Sequence, residues 1–233
     1  MNHTHENIVR IKAVHNLLAE LKDKVVFVGG ATVSLYAQRE TTAIRETKDV
    51  DILVEIASTW DYAEIEEQLR KIGFQNDPDS SFVGRYLHQG LIIDLMATEE
   101  NILGFSNKWY KEGFQTAINY EIDEQHVVKI FDPPYFVAAK LEAFKSRGNG
   151  DGRTSQDFED IVFILENRAS IWAEMEQAPA NLKDYLKREF NTLNEIPYLE
   201  EWISSHISFS LKSASSFIMQ DLNSYLENKP LPE

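Results

Sequence analysis

The 233-residue sequence predicts an α+β fold, a mixed sheet flanked by helices and followed by a C-terminal α-helical region. Three observations lead there. Short runs rich in β-branched residues, among them VVFV (25–28) and DVDILVEI (49–56), alternate with helical stripes over the first part of the chain. From Pro134 onward the pattern is helical almost throughout. Breaks rich in Gly, Pro, Asp and Asn punctuate the chain where one pattern gives way to the next. We therefore divide it into a sheet-containing domain, 1–131, and a helical domain, 132–233.

Taken in order, residues 5–22 place Ile8, Ile11, Val14, Leu18 and Leu21 at three- and four-residue spacing, the stripe of an amphipathic helix. Val25 to Val28 follow as a buried strand closed by Gly29-Gly30, and ATVSLYAQRE (31–40) reads as the next helix. After the strand at 49–56 comes a helix opened by Ser58 or Thr59 and closed by Gly73. Strands at 81–89 and 91–98 are separated only by Gly90, which predicts a tight hairpin. The stretch from Asn101 is mixed in pattern and ends in a strand, HVVKIF, before Asp132-Pro133-Pro134. Two helices, around YFVAAKLEAFKSR and SQDFEDIVFILENR, flank the loop RGNGDGRTS (147–155), and further amphipathic stretches complete the chain. Among these, Trp202, Ile203, Phe209 and Phe217 read either as core or as a partner-binding surface.

Cysteine is absent, which removes disulfides, thiolate nucleophiles and thiolate metal sites together. The six histidines lack zinc-site spacing, so metal chemistry has to rest on oxygen ligands. A net charge of −15 opposes nonspecific wrapping of nucleic acid, while leaving room for a local basic patch around Lys140, Lys145, Arg147 and Arg153. No run of eighteen apolar residues occurs, and MNHTHENIVR lacks a secretory pattern, so the expectation is a cytoplasmic protein without membrane association.

Chemistry concentrates on carboxylates. Asp49 and Asp51 stand two apart on a strand, hence on one face, where like charges persist best around a cation or a shared proton. Asp94 sits among Ile92, Ile93, Leu95 and Met96, and a charge in that company needs a partner or a metal. Brought together, the three acids would suit two Mg²⁺ or Mn²⁺ ions, with Asp94 also able to accept a proton from an attacking hydroxyl. Each acid by itself can equally be a solvated or capping residue. Gly29-Gly30, between a strand and a helical pattern, suits either close approach of a phosphate or a sharp turn. Lys140 emerges beside an apolar helix face, available to a triphosphate or snorkelling, and Asp157 and Asp160 share a face of the next helix, able to position Lys140 or Arg147.

In sequence, VVFVGGATVSLY, RETKDVDILV, LIIDLMA, YFVAAKLEAFKSRG and SQDFEDIVFI resemble the nucleotidyltransferase superfamily, and within it the AbiEii/AbiGii toxin-type enzymes. The likeness runs over about residues 10–168, and Gln156 stands where that family often carries an arginine. The resemblance implies a nucleotidyltransferase-like sheet and transfer of NMP from an NTP to an acceptor hydroxyl on tRNA or protein. It implies metal ligation by Asp49, Asp51 and Asp94, catalysis by these with Lys140, and nucleotide binding by Gly29, Gly30, Thr32, Arg45 and Thr47. Asp157, Asp160 and Arg147 would support them. It also implies the toxin of a toxin–antitoxin or abortive-infection pair, hence an antitoxin partner. An aminoglycoside-type antibiotic nucleotidyltransferase and a non-catalytic nucleotide- or partner-binding domain remain the alternatives.

Overall fold

Val25, Val26, Phe27 and Val28 are all buried in the computed structural model, as a continuous apolar run requires of a strand covered on both faces. The structure describes residues 3–39, 44–56, 58–104, 106–207 and 214–228. It is an α+β protein that divides into two units, Met1–Leu35 with Thr42–Asp132 and Tyr36–Thr41 with Pro133–Glu233.

The first unit is built on a mixed, open, seven-stranded sheet of order β3-β4-β5-β2-β1-β7-β6. Its strands are β1 (Val25–Val28), β2 (Asp49–Val54), β3 (Gln75–Asn76), β4 (Arg85–His88), β5 (Leu91–Ala97), β6 (Ile118–Asp123) and β7 (His126–Ile130). β1 runs antiparallel to β2 and parallel to β7, and β2 runs parallel to β5. Alternation sorts the two faces. Val50, Ile52 and Val54 pair across to Ile93, Leu95 and Ala97, all buried, while Asp49 and Asp51 share the other face with Ile92 and Asp94.

Helix α1, His3–Leu17, ends earlier than its stripe predicts. The chain turns at Ala19, φ +48°, into a 3-10 helix, Ala19–Lys24, yet Leu18 and Leu21 both stay buried across the break, so the apolar stripe outlasts the α-helix. The helix expected at 31–40 is likewise a 3-10 helix, Gly30–Tyr36. Its cause is local: Thr32 returns both its amide (3.2 Å) and its hydroxyl (2.9 Å) to the Gly29 carbonyl, closing the tighter three-residue ring. The strand expected from residue 81 begins only at Arg85, because Ser80 Oγ takes the Phe82 amide and the Phe82 carbonyl takes the Arg85 amide. The β4–β5 hairpin forms as expected, with Gln89 and Gly90 at φ +48° and +85°, both left-handed as its two-residue turn demands. Helix α2, Thr59–Lys71, is capped by Ser58 and lies over β4, where Tyr62 and Glu66 bond the buried Tyr86 hydroxyl. Short helices α3 (Glu100–Leu103) and α4 (Tyr110–Gln115) lead to the β6–β7 hairpin.

One buried histidine gives this unit a pH signature. His15 of α1 packs against the rings of Phe27 and His126. Burial first, then the charges of Lys22 and His126, hold its pKa below 6.5, against smaller opposing effects from a backbone hydrogen bond at Val127 and the charge of Asp23. His126 in turn bonds Asp123 and Asn16. A folded imidazole that resists protonation while the unfolded one accepts it makes stability full above about pH 6.5 and progressively lost below it. The urea midpoint is expected to fall between pH 7.5 and 5.5, and to fall less in His15→Gln.

The second unit is helical: α5 (Pro133–Arg147), α6 (Gln156–Asn167), α7 (Ile171–Gln177), α8 (Ala180–Asn194), α9 (Leu199–His206) and α10 (Ala214–Leu226). Two aromatic clusters form its core, Phe144, Phe158 and Trp202 in one, Trp172, Phe190 and Tyr225 in the other. The loop after α5 is fixed on the first: the Trp202 ring lies where a side chain on Gly152 would go, and His206 Nε2 donates to the Gly152 carbonyl. Trp202 and Ile203 are thus core, Phe217 is exposed, and Phe209 lies outside the described residues. Among the described residues no helix is long and apolar enough to cross a membrane.

Candidate active site

One row of the sheet reads Arg85, Asp94, Asp51, Val28 across β4, β5, β2 and β1. Register alone therefore sets Asp51 beside Asp94, and Asp49 follows Asp51 on the same face two residues earlier. The three acids expected to form one site do share a sheet face. Asp94 is buried, while Asp49 and Asp51 are partly exposed.

The glycine turn meets this row through Val28. Gly29 has φ +73°, and a Cβ added there would fall 1.8 Å from Oδ2 of Asp51. Only glycine satisfies both conditions, so the backbone of the turn lies directly against the carboxylate. Gly29→Ala is expected to destabilise the protein by about 2–4 kcal/mol, from left-handed strain plus overpacking, and to displace Asp51. Denaturant unfolding of the variant measures the first effect.

Thr32, Arg45 and Thr47 are placed by hydrogen bonds within the unit. The buried Thr32 hydroxyl is given to the Gly29 carbonyl and so shapes the turn. Asn7, fully buried on α1, donates to the Arg45 carbonyl at 3.0 Å and accepts from the Thr47 amide at 3.0 Å and hydroxyl at 3.3 Å. This clamp fixes the approach to β2 and occupies both the amide and the hydroxyl of Thr47. Sequence reading overlooks Asn7; its one signal is a polar residue inside an otherwise apolar helix stripe.

Arg85 is the larger omission. Its Nε donates to Asp94 Oδ1 at 2.7 Å and its Nη2 to Asp94 Oδ2 at 2.7 Å, a two-point fork, while Nη2 also reaches Asp49 Oδ2 at 2.8 Å. Hydrogen bonding to Asp94, then the charges of Asp94, Asp49 and Asp51, raise the guanidinium's pKa further against the cost of burial. Asp94 is therefore a paired buried carboxylate, the partner rather than the metal that its apolar surroundings called for. A hard-oxygen donor set still suits Mg²⁺ or Mn²⁺. Yet Arg85 engages both oxygens of Asp94 and one of Asp49, so the residues fit one ion on Asp49 and Asp51 better than two. Among the described residues no group of three or more acidic or histidine side chains is arranged to hold a metal.

Lys140, Asp157, Asp160 and Arg147 belong to the second unit and form one network there. The buried Lys140 ammonium lies 2.6 Å from Asp160 and 3.1 Å from Asp157, and Arg147 grips Asp157 through Nε and Nη2 at 2.7 and 2.8 Å. Burial opposes the lysine's charge, but Asp160 and Asp157 more than offset it and leave its pKa raised. The expected pairing of Asp157 and Asp160 with Lys140 and Arg147 is present, and it joins α5 to α6 through the ammonium.

Compared with known proteins, the chain matches no family model and no curated relative.

Proposed function

We propose that the protein is a metal-dependent nucleotidyltransferase that moves NMP from an NTP to an acceptor hydroxyl. The observation that carries this reading is the packing of the Gly29 turn against Asp51, in a sheet row that also holds Asp94 and with Asp49 on the same face. A turn without side chains beside clustered carboxylates suits a triphosphate chelated to a hard cation.

Asp49 and Asp51 would hold Mg²⁺ or Mn²⁺, which supplies neutralisation of phosphate charge when bound. Gly29 lets the turn close onto the Asp51 carboxylate that would hold the ion, Thr32 keeps the Gly29 carbonyl oriented, and Asn7 with Thr47 hold β2 in place. The acceptor oxygen forms its bond to the α-phosphorus as the bond to pyrophosphate breaks, and the hydroxyl proton leaves to a carboxylate or solvent. The sequence resemblance adds the biological setting: a toxin of a toxin–antitoxin or abortive-infection pair, with tRNA or protein as acceptor.

A second reading, a non-catalytic nucleotide-binding domain, draws on Arg85, which already neutralises Asp94. Incubation with labelled NTPs, Mg²⁺, cellular RNA, cellular protein and an aminoglycoside panel separates the possibilities. Label on RNA or protein is expected. Label on drug alone would reassign the acceptor, and no label anywhere, with no Mg²⁺-dependent thermal shift by NTPs, would sink the enzyme reading.

A further inference from the structure

The position between Asp49 and Asp94 that a second divalent ion would need is filled by a side chain of the protein itself. Arg85 stands directly opposite Asp94 on paired antiparallel strands, so the sheet register rather than a loop delivers it. Its fork takes both oxygens of Asp94 and its Nη2 spans to Asp49. Asp94 is only 6% exposed, so removing the guanidinium would strand a buried carboxylate. An incoming ion would have to replace three charge-assisted hydrogen bonds and would gain little beyond what they already supply.

We propose that Arg85 is the built-in second cation of this site, which consequently loads a single divalent ion per nucleotide and uses Arg85 to contact the phosphates. The inference rests on the nucleotidyltransferase reading. Geometry supports the contact. The Arg85 side chain is 29% exposed, and its third nitrogen, Nη1, bonds to none of the described residues. A planar guanidinium fixed on one edge by carboxylate and open on another is suited to a phosphate oxygen. Arg85 thereby differs from a purely structural counter-ion, whose loss would leave ligand stoichiometry unchanged.

Mn²⁺ titration followed by electron paramagnetic resonance, with α,β-methylene ATP and its three base counterparts present, tests this on the full chain. One Mn²⁺ per chain is expected for the wild type. Arg85→Gln should take up a second Mn²⁺ and bind the analogue about tenfold or more weakly at one Mn²⁺ equivalent, while Arg85→Lys, keeping charge without the fork, should stay at one. Asp94→Asn provides an independent arm should the glutamine variant not fold: it should keep one Mn²⁺, since Asp94 serves Arg85 and not the ion. Two Mn²⁺ on the wild type, loss of the single Mn²⁺ in Asp94→Asn, or unchanged stoichiometry and affinity in a folded Arg85→Gln would overturn the proposal while leaving nucleotidyl transfer standing. No Mn²⁺ and no analogue bound by the wild type would overturn both.

Discussion

Replacing Lys140 with methionine is expected to lower the unfolding free energy by about 3–5 kcal/mol, the range for breaking a buried ion pair from one side. The ammonium lies between Asp160, 2.6 Å away, and Asp157, 3.1 Å away, all three side chains being buried. Asp157 retains Arg147 in the variant, while the shorter contact, from the ammonium to Asp160, is lost. Lys140→Met with Asp160→Asn should accordingly recover a large part of it, and the double-mutant cycle isolates the pair. A single-variant loss below about 1 kcal/mol in urea unfolding would refute the argument. Acid weakens the same network. Burial opposes the Asp157 charge, but Arg147 and Lys140 outweigh it and hold its pKa below the usual carboxylate value of 3.8. Its contribution is then complete above about pH 4 and lost as pH falls through the lower folded value, with a shallower loss in Lys140→Met. Activity separates the lysine's two possible parts: a folded variant transferring nucleotide at the wild-type rate would assign Lys140 to stability alone.

Five of the seven strands were legible because their side chains repeat with period two or form short all-apolar runs, patterns that follow from burial, whereas the two-residue β3 and the largely exposed β6 carry neither. β1 and β2 are of this kind, and the hairpin declares itself by Gly90, although Gln89 reads as strand and belongs to the turn. What was not legible is what competes with periodicity at close range. The stripe through Leu18 and Leu21 suits one continuous helix, and nothing in it announces that Ala19 turns left-handed. The 3-10 helix after Gly29 depends on a single hydroxyl choosing the carbonyl three residues back. Residues Tyr36–Thr41 cluster with the helical unit although they precede most of the sheet in the chain, and no local pattern encodes such a return.

The site divides along the same line. Asp49 and Asp51 could be placed on one face from their spacing, because strand geometry is local. Asp94 announced only that it needed a partner. Its partner, Arg85, is nine residues away across a hairpin, and the register that sets the two opposite each other is decided by the turn between them. Counting back from Gly90 as the only break would have set Tyr86 opposite Asp94; it takes the two-residue turn Gln89-Gly90 to bring Arg85 there. Asn7 is harder: its bonds to Arg45 and Thr47 span some forty residues, and only tertiary packing joins them.

Asp51→Asn is expected to reduce nucleotidyl transfer by about 10³-fold or more, equivalent to roughly 4 kcal/mol of lost transition-state stabilisation. The substitution preserves shape beside Gly29, where the carboxylate fits against a backbone with no space for a methyl group. It removes one of three negative charges held on a single sheet face, where like charges this close oppose one another. The variant should therefore melt at or above the wild type without Mg²⁺, since relief of like-charge repulsion stabilises the fold at the expense of the site. Mg²⁺ with NTP should reverse the order, because a ligand that binds only the intact site stabilises only the wild type. Asp49→Asn should lose transfer to a similar degree, but it also weakens one bond of Arg85 and so carries a small stability cost of its own. An Asp51→Asn protein that keeps wild-type transfer would remove the metal from the mechanism. One that loses transfer only because it unfolds would instead make Asp51 a structural partner of the Gly29 turn, and the melting order without Mg²⁺ distinguishes the two.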